Sequence, residues 1–377
     1  MDWTYVTLVG SLIWFGILLL PWRPWDTREV LEAGVLSAGD DLSDITALIP
    51  ARNEAEFVRV SLSGLAAQGK HLRIVLVDDQ STDETVQTTL QMAIDNLRIV
   101  EGESLPAGWS GKLWALEQGL PYVRTPLTLL IDADIELRAG ILAALRKKMA
   151  EDGLQLISLM AELRMITFWE RSFMPAFIYF FKVLYSFHLS NSSYPRVAAA
   201  AGGCILLETR LLQEVGGFKT LRGELIDDCA LAKRVKLLGH KTWIGLTHSV
   251  LSHRSYNDLA PIWNMVARTA FAQLRYSTLL LLLGTVLMMT AFWLPIAGLF
   301  FPNLMAKVIS LASLGAMMLG YLPTLKFYGI FRGFALALPL IGSFYLAMTW
   351  TSAIRFWLRK GSEWKGRSYT KKGRLVE

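Results

Sequence analysis

The 377-residue sequence predicts an α/β domain, built on a mostly parallel sheet, held between α-helices that cross a membrane. Three observations predict this. Hydrophobic residues make up 53% of the chain and charged ones 19%, and the charge-free stretches lie at the two ends: 3–22, 276–306, 308–325 and 333–354. About twenty apolar residues are enough to span a bilayer. Between those ends, short β-branched runs alternate with segments of helical spacing, as βαβ units do. Three of the predicted strand ends carry polar clusters, and parallel sheets bind ligands beyond the carboxyl ends of their strands.

The elements follow in order. Residues 1–25 read as a membrane anchor, since they lack the basic start and small-residue cleavage site of a signal peptide. Pro21-Trp22-Arg23-Pro24-Trp25 resembles an interfacial aromatic belt followed by basic residues. The positive-inside rule then places the N-terminus outside and the following domain in the cytoplasm. Residues 26–43 are polar and read as a linker, and 44–256 form the α/β domain. Within it, 44–49 is a strand stopped by Pro50, 56–68 a helix, and 73–77 a strand ending at Asp78-Asp79. Ser81-x-x-Glu84 reads as a capping box opening the next helix. Residues 97–100 and 127–131 are further strands. A helix over 165–189, aromatic-rich but interrupted by charge, reads as lying in the membrane interface. A buried core helix is its alternative.

Residues 257–276 read as a second interfacial segment and 277–354 as the C-terminal membrane region. The tail, 355–377, places eight basic residues against one acidic residue within 355–374. Such clusters favour anionic lipid surfaces. They account for the pI near 9.2 through a membrane rather than nucleic acid. Three C-terminal spans would put this tail outside, against the positive-inside rule. Either one span is re-entrant, with Pro339 and Gly342 interrupting it, or the count differs. Cys204 and Cys229 have no metal-ligand spacing and stay reduced in a cytoplasmic domain.

The stretch LLIDADIEL, 129–137, ends an apolar run in two carboxylates. On a strand, Asp132 and Asp134 point the same way. They repel unless a positive charge sits between them, and Mg²⁺ is typically held by one or two carboxylates plus substrate phosphates. A solvated turn after a strand fits the same residues.

The ordered motifs ALIPARNE, VDDQSTDET, GWSGKLWAL, DAD, AGGCILLETRLLQEVGGF and DDCALAKRV make the chain resemble the inverting family 2 glycosyltransferases with a GT-A fold, over roughly 44–253. The flanking membrane segments and the closing GSEWKGRSY resemble the bacterial hopanoid-biosynthesis-associated branch. The resemblance implies a UDP-sugar donor whose base meets Asp79, with Pro50, Arg52 and Glu54 bordering the nucleotide. For Glu54 a solvated helix N-terminus serves as well. Lys112 would close over the diphosphate as a point charge. Its spacing is not that of a Walker A loop, and a surface lysine is the alternative.

The resemblance further makes Asp134 the ligand of Mg²⁺ or Mn²⁺, with Asp132 facing the ribose or sharing the ion. Where the family has Glu-Asp this chain has Asp227-Asp228, so Asp228 is the expected general base and Asp227 a substrate-binding acid. Two acids also suit a helix N-terminus. Processive and sphingolipid-type relatives carry Q/R-x-x-R-W, of which Ala272 to Tyr276 keeps only Arg275. That residue, or Arg268, binds diphosphate or snorkels at a membrane edge. His248 and His253 are metal-ligand candidates with a structural alternative.

The function implied is a membrane-bound inverting transferase of the bacterial inner membrane. It would move sugar from a nucleotide sugar to a lipid acceptor, a hopanoid or another polyprenoid-derived alcohol. A processive polysaccharide synthase is the runner-up, opposed by the missing motif ends and the few spans. A catalytically silent scaffold is opposed by the intact Asp134 and Asp228.

Overall fold

A computed structural model describes residues 3–34 and 41–358, with the backbone of 362–364 and 367–369. The chain divides into two compact units. One contains Glu29–Arg164 and Leu189–Ser255, the other Met1–Arg28, Met165–His188 and Tyr256–Arg359.

The first unit is built on an eight-stranded sheet. Its strands are β1 (Ile45–Ala51), β2 (Arg73–Asp78), β3 (Leu97–Glu101), β4 (Leu127–Ile131), β5 (Ile135–Leu137), β6 (Leu156–Glu162), β7 (Cys204–Glu208) and β8 (Thr242–Ser252). They lie in the order β3-β2-β1-β4-β7-β6-β8-β5. The four predicted strands form the parallel half, while β7 and β5 run against their neighbours. Strand alternation divides the core between the two faces of the sheet. Ile49, Leu76, Leu129 and Leu206 pack into one apolar cluster, and Leu48, Val75, Leu130 and Ile205 into the other. Successive strand residues point to opposite faces, so a sheet covered on both sides needs apolar residues at every position.

Two local expectations are corrected. Pro50 does not stop β1, which runs on to Ala51 and pairs Pro50 with Val77. The proline lies past the last β1–β4 pair, Leu48 with Leu130, where its missing N–H breaks no ladder on that side. The capping box over 81–84 does not form, and the helix Thr85–Leu90 begins after Glu84 without a side-chain cap. Ser81 instead accepts from the Asn53 N–H at 3.0 Å, and Asp83 from that of Ala55 at 3.1 Å, so the cluster binds two strand-end loops together. Within the expected linker, described residues make contacts with the last strand. Val30 bridges to Leu246, and Glu32 accepts from the N–H of His248 and the hydroxyls of Thr247 and Ser249.

The second unit is helical. Among the described residues, three helical stretches are long and apolar enough to cross a membrane: Thr278–Gly298, Leu304–Phe327 and Arg332–Trp357. Trp3–Leu19 is apolar but has 17 residues. At about 1.5 Å per residue it falls a little short of a hydrocarbon core of about 30 Å. Small residues let these helices approach. A Cβ on Gly298 would lie 2.5 Å from Thr7 Cγ2, and the Ser11 and Ser313 hydroxyls meet at 2.7 Å. Pro339 sits in the first turn of the helix Leu338–Trp357, where proline is tolerated, so it does not interrupt that segment.

The expected interfacial helix forms as Phe168–Leu184, opened by a Thr167–Glu170 capping box. One face is buried within its own unit, as in the core-helix alternative. Phe173 O accepts from the Tyr345 hydroxyl, and Lys182 donates to Thr324 Oγ1. The basic tail beyond 358 lies outside the described residues, apart from the backbone of the two short strands Ser362–Trp364 and Arg367–Tyr369.

Candidate active site

Sheet register brings the polar strand ends of the first unit together. β4 and β7 are antiparallel, with Ile131 opposite Cys204. The residues just past β4, Asp132 onward, therefore lie beside those just before β7, Gly202 and Gly203. β5 and β8 pair Ile135 with Ser252, which carries His253 and Arg254 alongside Asp134. The His253 N–H donates to the Asp134 carbonyl at 3.0 Å.

Asp132-Ala133-Asp134 is a turn rather than strand, with the Ile135 N–H returning to the Asp132 carbonyl at 3.1 Å. Strand alternation therefore does not align the two carboxylates, and each has its own cation. Lys112 Nζ lies 2.7 Å from Asp132 Oδ1. Arg254 Nε lies 2.7 Å from Asp134 Oδ2. Lys112 belongs to the first turn of the helix Gly111–Gly119, capped by Ser110.

Burial works against the charge on Lys112. Asp132, Asp227 and Asp228 overcome it and hold the ammonium above its usual range. Burial also raises the carboxyl of Asp132, opposed by Lys112 and reinforced by Asp134.

Asp227 and Asp228 open the helix Asp227–Leu237. Asp228 Oδ2 accepts from the Gly202 N–H at 2.8 Å, and Oδ1 from the Cys229 N–H at 2.7 Å. A Cβ added to Gly202 would stand 3.1 Å from Lys112 Nζ and 3.3 Å from Asp228 Oδ2. The glycine is what lets the lysine and the acid share this corner. Burial, then the charge of Asp227, pushes the Asp228 carboxyl up to about 6, against Lys112 and the two N–H groups. The result is a carboxylate more basic than usual and still ionised at neutral pH.

On the nucleotide-side loops, the Arg52 guanidinium donates to the carbonyls of Asp79 and Gln80. Asp79 is fully buried, so base contact there requires the surrounding chain to move. Pro50 lies within β1, one residue from its carboxyl end. Glu54 is buried, and its Oε1 lies 2.8 Å from Arg254 Nη2. It is not the solvated helix end of the alternative reading. Arg275 belongs to the helical unit, just after the helix Leu259–Gln273, with a left-handed φ of 52°. The histidines take structural partners: His253 pairs with Glu136 at 2.6 Å and His248 with Glu162 at 3.0 Å.

Two residues of this site escape sequence reasoning. Gly202 looks like any turn glycine until β7 is known to run beside β4. Arg254 follows the last strand as an ordinary basic residue, and only the β5–β8 register reveals what it faces.

The donor set of Asp132 and Asp134 suits a hard divalent cation. Among the described residues no cluster of three or more His, Cys, Asp or Glu side chains could hold a metal. A cation here would take its remaining ligands from phosphate and water, as Mg²⁺ commonly does.

Residues 46–216 match the model of Glycosyl transferase family 2. A 4,4'-diaponeurosporenoate glycosyltransferase of Staphylococcus haemolyticus (strain JCSC1435) is 26% identical over 113 residues, 30% of this chain and 30% of that protein. Its counterpart from Staphylococcus aureus (strain bovine RF122 / ET3-1) is 27% identical over 111 residues, 29% and 28% of the two chains. The matches thus span under a third of the curated relatives. A mannosyltransferase from Pyrobaculum calidifontis, solved in complex with GDP-Man and Mn²⁺, superposes with a TM-score of 0.57 at 20% identity, covering 94% of this chain and 98% of that one. The likeness is one of fold, and the expected GT-A arrangement with C-terminal apolar helices stands.

Proposed function

We propose that the protein is a membrane-bound inverting glycosyltransferase that moves a sugar from a nucleotide-sugar donor to a lipid acceptor. The observation that carries this reading is Asp228. It is a carboxylate held by two backbone N–H groups beside Lys112, in a domain matching family 2. An inverting transfer needs one base to take the acceptor hydroxyl's proton as that oxygen attacks the anomeric carbon opposite the leaving group. Asp228 fills this role. Lys112 faces the donor diphosphate as a point charge, and Asp227 holds the lysine's field in place.

A bound Mg²⁺ or Mn²⁺, held by Asp134 and Asp132, would supply Lewis-acid stabilisation of the departing diphosphate. The mannosyltransferase of similar fold, solved with GDP-Man and Mn²⁺, supports the same reading. Asp79 is the base contact. The donor expected from the family resemblance is a UDP-sugar.

The relatives named for diaponeurosporenoate support a lipid-like acceptor, and the helices long and apolar enough to cross a membrane support its delivery from a bilayer. A hopanoid or another polyprenoid-derived alcohol is the acceptor proposed. The bacterial inner membrane, with the α/β unit facing the cytoplasm, is the proposed location. Membranes containing the protein, incubated with labelled UDP- and GDP-sugars, should yield a labelled lipid. Donor hydrolysis or transfer that persists after Asp228→Asn, or a polymeric product, would overturn the reading.

A further inference from the structure

Arg254 holds two carboxylates that the sheet brings to one place. Its Nε lies 2.7 Å from Asp134 Oδ2, and its Nη2 2.8 Å from Glu54 Oε1. The acids are nearly covered, with 10% and 7% of their side-chain surface exposed, while Arg254 keeps 32%. The three residues come from the ends of β4, β1 and β8. Two buried carboxylates without a counter-charge would be costly. The guanidinium supplies that charge, and its ring-side neighbour is Phe57, at 5.8 Å from the ring centroid.

We propose that Arg254 is the resident counter-cation of the Asp134–Glu54 pair and yields that place to the divalent ion. The ion then binds tightly only together with a nucleoside diphosphate. The inference rests on Asp134 being a metal ligand, as in the function proposed above. A cation on Asp134 would share the carboxylate whose Oδ2 Arg254 now holds, and it would sit against a fixed positive charge. Like charges at such range repel strongly where water is scarce. A diphosphate changes this balance. Its oxygens accept the planar guanidinium fork as well as a carboxylate does, so Arg254 gains a new partner when it leaves Asp134. Arg254 is thus a positioning residue: it keeps the empty site folded and ties metal binding to donor binding.

The test uses the full chain in detergent micelles, with free Mn²⁺ read by electron paramagnetic resonance. Titrations are run alone and with saturating UDP or GDP. For the wild type we expect Mn²⁺ affinity to rise at least about tenfold on adding the preferred nucleotide. For Arg254→Gln we expect Mn²⁺ alone to bind at least about tenfold more tightly than to the wild type, and the nucleotide effect to shrink. The same variant should melt lower in chelator and recover its melting temperature with Mn²⁺, so purification in Mn²⁺ keeps it testable.

Arg254→Lys, which keeps the charge but not the fork, should still bind Mn²⁺ alone weakly but show a smaller nucleotide effect than the wild type. Unchanged or weaker Mn²⁺ binding by Arg254→Gln, with normal binding by the wild type plus nucleotide, overturns this inference alone. Absence of Mn²⁺ binding to the wild type with either nucleotide removes the metal assignment itself, and the inference with it.

Discussion

Replacing Asp228 by asparagine separates catalysis from stability, because the carboxylate proposed as the general base also burdens the fold. Its carboxyl is raised from the ordinary value of 3.8 to about 6, first by burial and then by Asp227. The folded state therefore holds this proton more tightly than the unfolded chain does. Stability from that preference is fully present below about pH 4 and is lost as the pH rises through about 6. One pK unit corresponds to about 1.4 kcal/mol, so at pH 8 the ionised Asp228 costs the fold up to about 3 kcal/mol.

Asparagine removes that cost. It also replaces one of the two oxygens that accept from Gly202 and Cys229, and an orphaned buried N–H costs roughly 1–3 kcal/mol. The two effects nearly cancel at pH 8, and only the second remains at pH 4. The variant should therefore be less stable than wild type at pH 4 and close to it at pH 8. Its transfer rate should fall by about 10²- to 10⁴-fold, the usual contribution of a general base, while nucleotide affinity changes little. In the wild type, kcat/KM should rise with pH through about 6.

Asp227→Asn should be milder in rate. Thermal melts of purified protein at several pH values, paired with initial rates, check all of this. Near-normal transfer by Asp228→Asn, a larger loss at Asp227, or a stability difference that ignores pH would refute the assignment.

Chelation should abolish transfer and Mn²⁺ or Mg²⁺ restore it, with Asp134→Asn weakening metal-dependent donor binding; full activity in excess chelator would oppose this. Gly202→Ala should cut transfer by about tenfold or more, since its Cβ would crowd Lys112 and Asp228 and small displacements of reacting groups are expensive. Its fold should lose only about 1–3 kcal/mol, so a melt and an activity assay together decide whether the glycine serves the site. Lys236, nearly buried, donates to the carbonyls of Leu189, Ser190 and Val197 at 3.1, 2.6 and 2.7 Å. Lys236→Met leaves these neutral carbonyls without that donor and should cost about 1–3 kcal/mol, seen as a lower unfolding midpoint; no measurable shift would show the ammonium to be dispensable.

Features that depend on near neighbours in the chain were legible without a structure. Charge-free stretches marked the apolar helices because bilayer thickness sets their length. β-branched runs ending in acids marked β2 and β4 because strand period and solvent access act residue by residue. The pair Asp227-Asp228 opened a helix as its charge and position suggest. Local signals failed where a distant segment competed for the same groups. Ser81 caps no helix because Asn53 takes its hydroxyl, and Pro50 extends β1 because β2 pairs with it.

Only the tertiary structure could decide which cation meets which acid. Asp132 and Asp134 are two residues apart, yet one pairs with Lys112 and the other with Arg254. Those partners come from 20 positions before and 120 after, brought there by the antiparallel register of β5 on β8 and the packing of the helix Gly111–Gly119. Sequence spacing carries no record of such pairings, because side-chain ion pairs are set by where the backbone places charged groups in space.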